Sequence, residues 1–126
     1  MSQTQIKHSV FVLSLFDTGL ATLHGFANLG LEVVGLDFNP NQPGFRSKYG
    51  QKILCPNPLS DAPALCNLLI ELAAKKTAKP ILIPASDLYA VFISQNRKIL
   101  GQHFLFHLKR YRLSSPRYFR FLYSFL

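Results

Sequence analysis

Apolar residues along the chain fall into unbroken short runs separated by helical stripes. "SVFVLSLF" (Ser9–Phe16) has no polar alternation, which predicts a strand buried on both faces. It ends at "DTG" (Asp17–Gly19), where Asp17 or Thr18 can cap a helix over "LATLHGFANLG". Leu20, Leu23 and Ala27 share one face of that helix, and Gly30 is a natural stop. "LEVVGLDF" (Leu31–Phe38) reads as a second buried strand. A β-α-β unit this short implies parallel strands with a right-handed crossover.

"NPNQPGFRSKYG" (Asn39–Gly50) is rich in turn formers and predicts a loop. "QKILC" (Gln51–Cys55) is a short strand candidate, and "PNPLSDAP" (Pro56–Pro63) a loop ending in Ser60 or Asp61 as a cap. The next helix carries Leu65, Leu68, Leu69 and Leu72 at i, i+3, i+4 and i+7. Lys75 and Lys76 close it, favourably placed at the negative end of its dipole. "PILIP" (Pro80–Pro84) predicts a central strand with its prolines at the ends. "ASD" (Ala85–Asp87) caps a third helix over Leu88–Leu100 whose inner face is Leu88, Val91, Phe92 and Ile99. "HFLFHL" (His103–Leu108) predicts a last strand. The order is that of an α/β fold: an open, mostly parallel, Rossmann- or flavodoxin-like sheet of about five strands with helices on both faces.

Composition changes this picture only at the C-terminal end. The 126 residues are 48% hydrophobic, enough for one domain with a real core. The net charge of +8 is unevenly spread. Residues 1–108 hold nine Lys or Arg against six Asp or Glu, whereas residues 109–126 hold five against none. The domain proper, residues 1–108, is therefore only mildly basic. Two separated cysteines, Cys55 and Cys66, form no disulfide framework and read as free thiols of a reducing compartment. The polar start "MSQTQIKHS" lacks a signal-peptide pattern, and no apolar stretch has spanning length. The expectation is a cytoplasmic domain.

In an open α/β sheet the ligand crevice lies beyond the carboxyl ends of the strands. Asp17 and Thr18 follow the first strand, Asp37 ends the second, and Ser86 and Asp87 follow "ILIP". Helix-start amides at such turns attract phosphate or carboxylate, although Ser86 and Asp87 can equally serve as plain caps. A dinucleotide fingerprint needs G-x-G-x-x-G at the turn. Gly19, Gly25 and Gly30 do not have that spacing, so Asp37 alone does not make a nicotinamide site. In the loop, Arg46 and Lys48 stand with Phe45 and Tyr49, and Arg can clamp an oxyanion with two parallel bonds. The bland alternative is a solvated loop packed by its two rings. His8, His24, His103 and His107 have no metal-ligand spacing, and neither cysteine has an activating basic neighbour. No catalytic residue and no metal ligand is assigned.

Three stretches together resemble a known family: "VFVLSLFDTGLATLHGFANLGLEVVGLDFNPNQPGFRSKYG", "ILCPNP" and "PILIPASDLYAVFISQNRKIL". They are similar to the N-terminal, pre-ATP-grasp domain of ATP-grasp carboxylate–amine ligases. "RSKY" resembles that family's Ser-Arg-Tyr or Arg-Ser-Lys-Tyr segment, "PILIPASD" its Pro-[Thr/Ala]-Ser-Asp turn, and "SQNRKILGQHFLF" its Asn-Arg helix and following strand. The resemblance spans residues 9–108. It implies one wall of a cleft for a small carboxylate or amine substrate, with Asp17, Thr18, Arg46, Ser86 and Asp87 facing it and Arg46 holding a carboxylate. It also implies ATP and magnesium, used to form an acylphosphate that an amine attacks. In the family, those ligands sit in further lobes. No phosphate loop and no acidic pair suited to magnesium stands in this chain, so by itself it is expected to be inactive.

Residues 109–126 depart from that pattern, with five basic residues, six aromatic rings and no acid. Three readings stand. One is an arm that binds nucleic acid through phosphate contacts and stacking, which would make the chain a standalone nucleotide- or nucleic-acid-binding module. The second is an interfacial membrane helix, poorly served by Pro116 and by rings that do not segregate from Arg117 and Arg120. The third is a frameshifted or truncated remnant, which the abrupt loss of acids fits best. Neither nucleic acid nor membrane is therefore the expected partner. A face left without its usual neighbours would favour self-association.

Overall fold

A computed structural model of the chain describes residues 8–106. The tail read above from residue 109, and the polar start, lie outside them. Four strands form one sheet: β1 (Val10–Leu13), β2 (Val33–Asp37), β3 (Gln51–Leu54) and β4 (Ile81–Pro84). Their order is β3-β2-β1-β4 and every pairing is parallel. The helices are α1 (Asp17–Asn28), α2 (Ala62–Ala74), α3 (Asp87–Gln95) and α4 (Arg97–Leu100), with a 3₁₀ turn at Pro43–Arg46. The expected α/β class with a parallel sheet is therefore present, but among the described residues with four strands rather than about five.

The period-two geometry of β1 sorts the core into two layers. Val10 and Val12 pack with Leu23, Phe26 and Ala27 of α1. Phe11 and Leu13 face the other way, against Leu65 and Leu69 of α2 and Tyr89, Phe92 and Ile93 of α3. Helices thus cover both faces. The central strand is wholly buried, which is why it reads as an unbroken apolar run. β3 is an edge strand and half exposed.

Two expectations at the C-terminal end need correction. The strand over His103–Leu108 is, within the described residues, a single bridge from Leu105 to Ile81. Leu105 accepts from the Leu82 amide and donates to Pro80. The amides of His103 and Phe104 still bond back to Leu100, and the Phe104 ring packs on Phe11, so the chain leaves its helical turn too late for a longer ladder. The third helix also breaks. The Asn96 side-chain amide donates to the Phe92 carbonyl at 2.8 Å, the local side-chain competition that interrupts helices. The break turns the final residues, so Leu100 is buried and Ile99, expected inside, is 44% exposed.

The tightest packing is where α1 starts. A Cβ added to Gly19 would lie 1.8 Å from the Ser14 carbonyl oxygen, so only glycine lets the helix sit on the strand end. Gly25, on the exposed side of the same helix, has open space around it. Gly19→Ala is therefore expected to cost about 3 kcal/mol, at the upper end of overpacking effects. Gly25→Ala should stabilise by roughly 0.5–1 kcal/mol through helix propensity. Urea denaturation of both variants checks the pair; equal effects of the two would contradict the packing described.

Candidate functional site

The carboxyl end of the sheet is organised by one peptide unit. After β1 the chain reverses at Ser14, whose φ of 102° is in the region that disfavours a side chain. The Leu15 N–H donates to the Asp37 carboxylate at 2.8 Å, and the Leu15 carbonyl accepts from the Gly44 N–H at 2.8 Å. Asp37, at the end of β2, is 1% exposed. Its second oxygen accepts from the Asn39 N–H at 2.9 Å and, more loosely, from the Tyr89 hydroxyl at 3.4 Å. Tyr89 in turn accepts from the Phe38 N–H at 3.1 Å. A buried carboxylate needs such donors to remain in place. Here they come from the β1–α1 turn, the second residue after β2, and α3.

This arrangement draws three turns together. The 3₁₀ turn that ends at Arg46 is tied to Leu15 through Gly44. The β4–α3 turn is tied to β1 by the Ala85 N–H donating to the Leu13 carbonyl. Its Ala85 methyl sits 3.4 Å from where a Gly19 side chain would begin. Asp17 and Thr18, Arg46, and Ser86 and Asp87 thus lie on three adjoining turns at the strand ends, the place the crevice rule selects.

The expected cap is present at α3 but not at α1. Ser86 is the N-cap of α3, its hydroxyl accepting from the Tyr89 N–H at 3.5 Å. Asp87 is exposed in that helix's first turn. Asp17 and Thr18 are also exposed, and neither side chain caps α1, whose N-cap position is Phe16. The helix starts one residue earlier than a cap at Asp17 would require, because Asp37 and Gly19 already fix the turn.

The loop carrying Arg46 is anchored rather than merely solvated. Ser47 Oγ lies 2.9 Å from His24 Nε2 and accepts from the Tyr49 N–H at 3.1 Å. The Tyr49 ring meets His24 edge-on with centroids 4.6 Å apart. The Lys52 ammonium donates to the carbonyls of Ser47, Tyr49 and Gly50. Lys48 stands 5.4 Å from the Tyr49 ring centroid. Among the described residues the one ion pair is Lys76–Glu32, so Arg46 is exposed and has no acidic partner there.

Sequence reasoning overlooked Ser14, Gly44 and Tyr89, and placed Asp37 at the end of β2 without its inward, structural role. The missed signal is a spacing. Ser14, Phe16 and Gly19 occupy the three positions of G-x-G-x-x-G, with Ser14 bearing the positive φ and Gly19 the close helix approach. Gly19 is the last position of that spacing, not its first. Phe16 fills the middle position and is 55% exposed, and Asp37 points inward, so the turn has the frame of a dinucleotide loop without its access.

Cavities lie elsewhere. One of about 360 Å³ opens among Ala27, Leu31, Glu32, Gln51 and Lys76, at the amino ends of the strands. It holds no group of chemical promise beyond the Lys76–Glu32 pair, and the open crevice is the better candidate on chemistry. No three His, Cys, Asp or Glu side chains stand together among the described residues. The Asp37 oxygens are committed to backbone amides, so this acid is not free to hold magnesium.

Cys55 and Tyr89 close the underside of the cluster. Burial pushes the Cys55 thiol from 9.0 up to about 11, partly offset by its contact with Tyr89. Burial also raises the Tyr89 hydroxyl well above its ordinary value, with the nearby Cys55 and Asp37 adding to the effect. Cys66 is raised by burial as well. These are inert, protonated groups, not nucleophiles. Set against protein-family models and curated proteins, the chain matches none.

Two expectations follow. Asp37→Asn puts an amide N–H₂ against a buried N–H donor and should cost about 1–3 kcal/mol, read as a lower denaturation midpoint; an unchanged midpoint would contradict the clamp. A raised folded-state pKa stabilises below the unfolded value and is lost above it. Stability should therefore fall as pH rises from about 9 through about 11, the Cys55 window. Denaturant midpoints across that range, with Cys55→Ala flattening part of the slope, test this; equal slopes for the two proteins would contradict the assignment.

Proposed function

We propose that residues 9–108 act as the substrate-cleft domain of an ATP-grasp-type carboxylate–amine ligase. In this reading the crevice at the carboxyl end of the sheet receives a small carboxylate or amine substrate. Arg46 holds the carboxylate, while Asp17, Thr18, Ser86 and Asp87 line the opening. ATP and magnesium belong to the further lobes of the family's full-length enzyme, and this chain by itself does not form the amide.

The observation that supports the reading is the anchoring of Arg46. Its turn is fixed by the Gly44–Leu15 hydrogen bond and by the Ser47, Tyr49 and Lys52 contacts, yet its guanidinium carries no acid partner among the described residues. An exposed guanidinium on an anchored turn beside the strand ends is suited to two-pronged carboxylate recognition. The parallel sheet and the convergence of three turns agree with the family resemblance.

Nuclear magnetic resonance titration of the labelled chain with acetate, succinate and α-amino acids tests the role. Amide shifts are expected at Thr18, Gly19, Arg46 and Ser86, and Arg46→Ala should abolish them. Shifts confined to the amino ends of the strands, or none, would contradict it. Magnesium-dependent ATP hydrolysis by the purified chain would overturn the assignment of nucleotide chemistry to the family's further lobes.

A further inference from the structure

We infer that Phe16 is the residue that selects the ligand of this crevice: a carboxylate bearing an aromatic or branched apolar group, with pyrophosphate-containing nucleotides rejected. The inference rests on the proposed carboxylate-holding role of Arg46 and names the substrate class that role would serve.

Isolated exposed apolar side chains are ordinary on protein surfaces. Among the described residues, Phe16 differs from Leu29, Leu54, Ile99 and Leu105, the other large exposed ones, in its place: it stands in the β1–α1 turn, which is bonded directly to the loop that carries Arg46. The residue before it is fully buried and bonded at both ends of its peptide, to Asp37 and to Gly44. Its own carbonyl accepts from the Leu20 N–H at 2.8 Å as α1 begins. The ring therefore projects from an immobilised backbone rather than from a slack loop. It stands one residue past the Leu15–Gly44 bond, and Arg46 stands two residues past the same bond on its other side. An apolar platform and an unpaired cation thus flank a single hydrogen bond at the strand ends.

The position also carries a steric argument. In a G-x-G-x-x-G turn the middle glycine lets backbone approach a pyrophosphate. Here that position holds a benzyl side chain, while the first and last positions keep the frame through Ser14 and Gly19. The acid that would hold a ribose, Asp37, is turned inward onto Leu15. Both changes disfavour a nucleotide. The ring adds instead a face against which an apolar group can lie while its carboxylate meets Arg46.

Calorimetric titration with acetate, phenylacetate and inorganic pyrophosphate, using the wild-type chain, Phe16→Ala and Arg46→Ala, tests this. Phe16 is exposed, so Phe16→Ala is expected to fold, which its thermal transition checks. The wild type should bind phenylacetate about tenfold more tightly than acetate, as partial burial of one ring predicts. Phe16→Ala should erase that preference without weakening acetate, and Arg46→Ala should weaken both. A preference that survives Phe16→Ala, or pyrophosphate binding more tightly than phenylacetate to the wild type, would overturn the inference while leaving the Arg46 reading intact. Failure of the wild type to bind either carboxylate would overturn both.

Discussion

The carboxylate of Asp37 is the constraint on which the carboxyl end of this fold depends. Burying a charge is expensive unless donors replace the lost water. Asp37 is 1% exposed, and its two oxygens are met by the Leu15 and Asn39 amides and, at longer range, by Tyr89. These donors come from distinct parts of the chain, so satisfying the carboxylate holds β2, the β1–α1 turn and α3 in one arrangement. The Ser14 turn, unfavourable in isolation, persists because its neighbours are fixed on both sides. The approach of Gly44 to Leu15 then carries the same constraint out to the loop that bears Arg46.

Rigidity at the base and polarity at the rim are therefore consequences of one another. The groups best able to do chemistry by type, Cys55, Tyr89 and Asp37, are spent on structure. Burial keeps the thiol and the phenol protonated, and backbone amides occupy the carboxylate. What remains available to a ligand is an exposed guanidinium on an anchored turn, the exposed Asp17, Thr18 and Asp87, and an aromatic ring. Such a set can bind and orient, and it offers no nucleophile or metal cage of its own among the described residues.

Much of the fold was legible because the parallel strands are buried on both faces and so appear as unbroken apolar runs. The Leu65–Leu72 stripe was legible for the complementary reason, a helix with one inward face. Legibility ended where tertiary contacts override local pattern. Asn96 breaks a helix that periodicity would carry through Leu100, and Phe104 enters the core where a fifth strand was expected, leaving a single bridge at Leu105 among the described residues. At the candidate site, Arg46, Ser86 and Asp87 could be named from loop position alone. Asp37 could not be assigned its inward role, because nothing local distinguishes an acid aimed at a ribose from one aimed at an amide. Ser14 escaped notice because its conformation, rather than its residue type, does the work usually given to glycine.

The most direct measurement is amide hydrogen exchange at Leu15 and Gly44. If the Asp37 carboxylate clamps the turn, the Leu15 amide exchanges as slowly as those of Val12 and Leu36 inside the sheet, with Gly44 close behind, although both lie outside regular strands and helices of the core. Exchange of Leu15 at the rate of the exposed Asn41 amide would mean that the turn opens freely, and that Asp37 does not hold the carboxyl end of the sheet together.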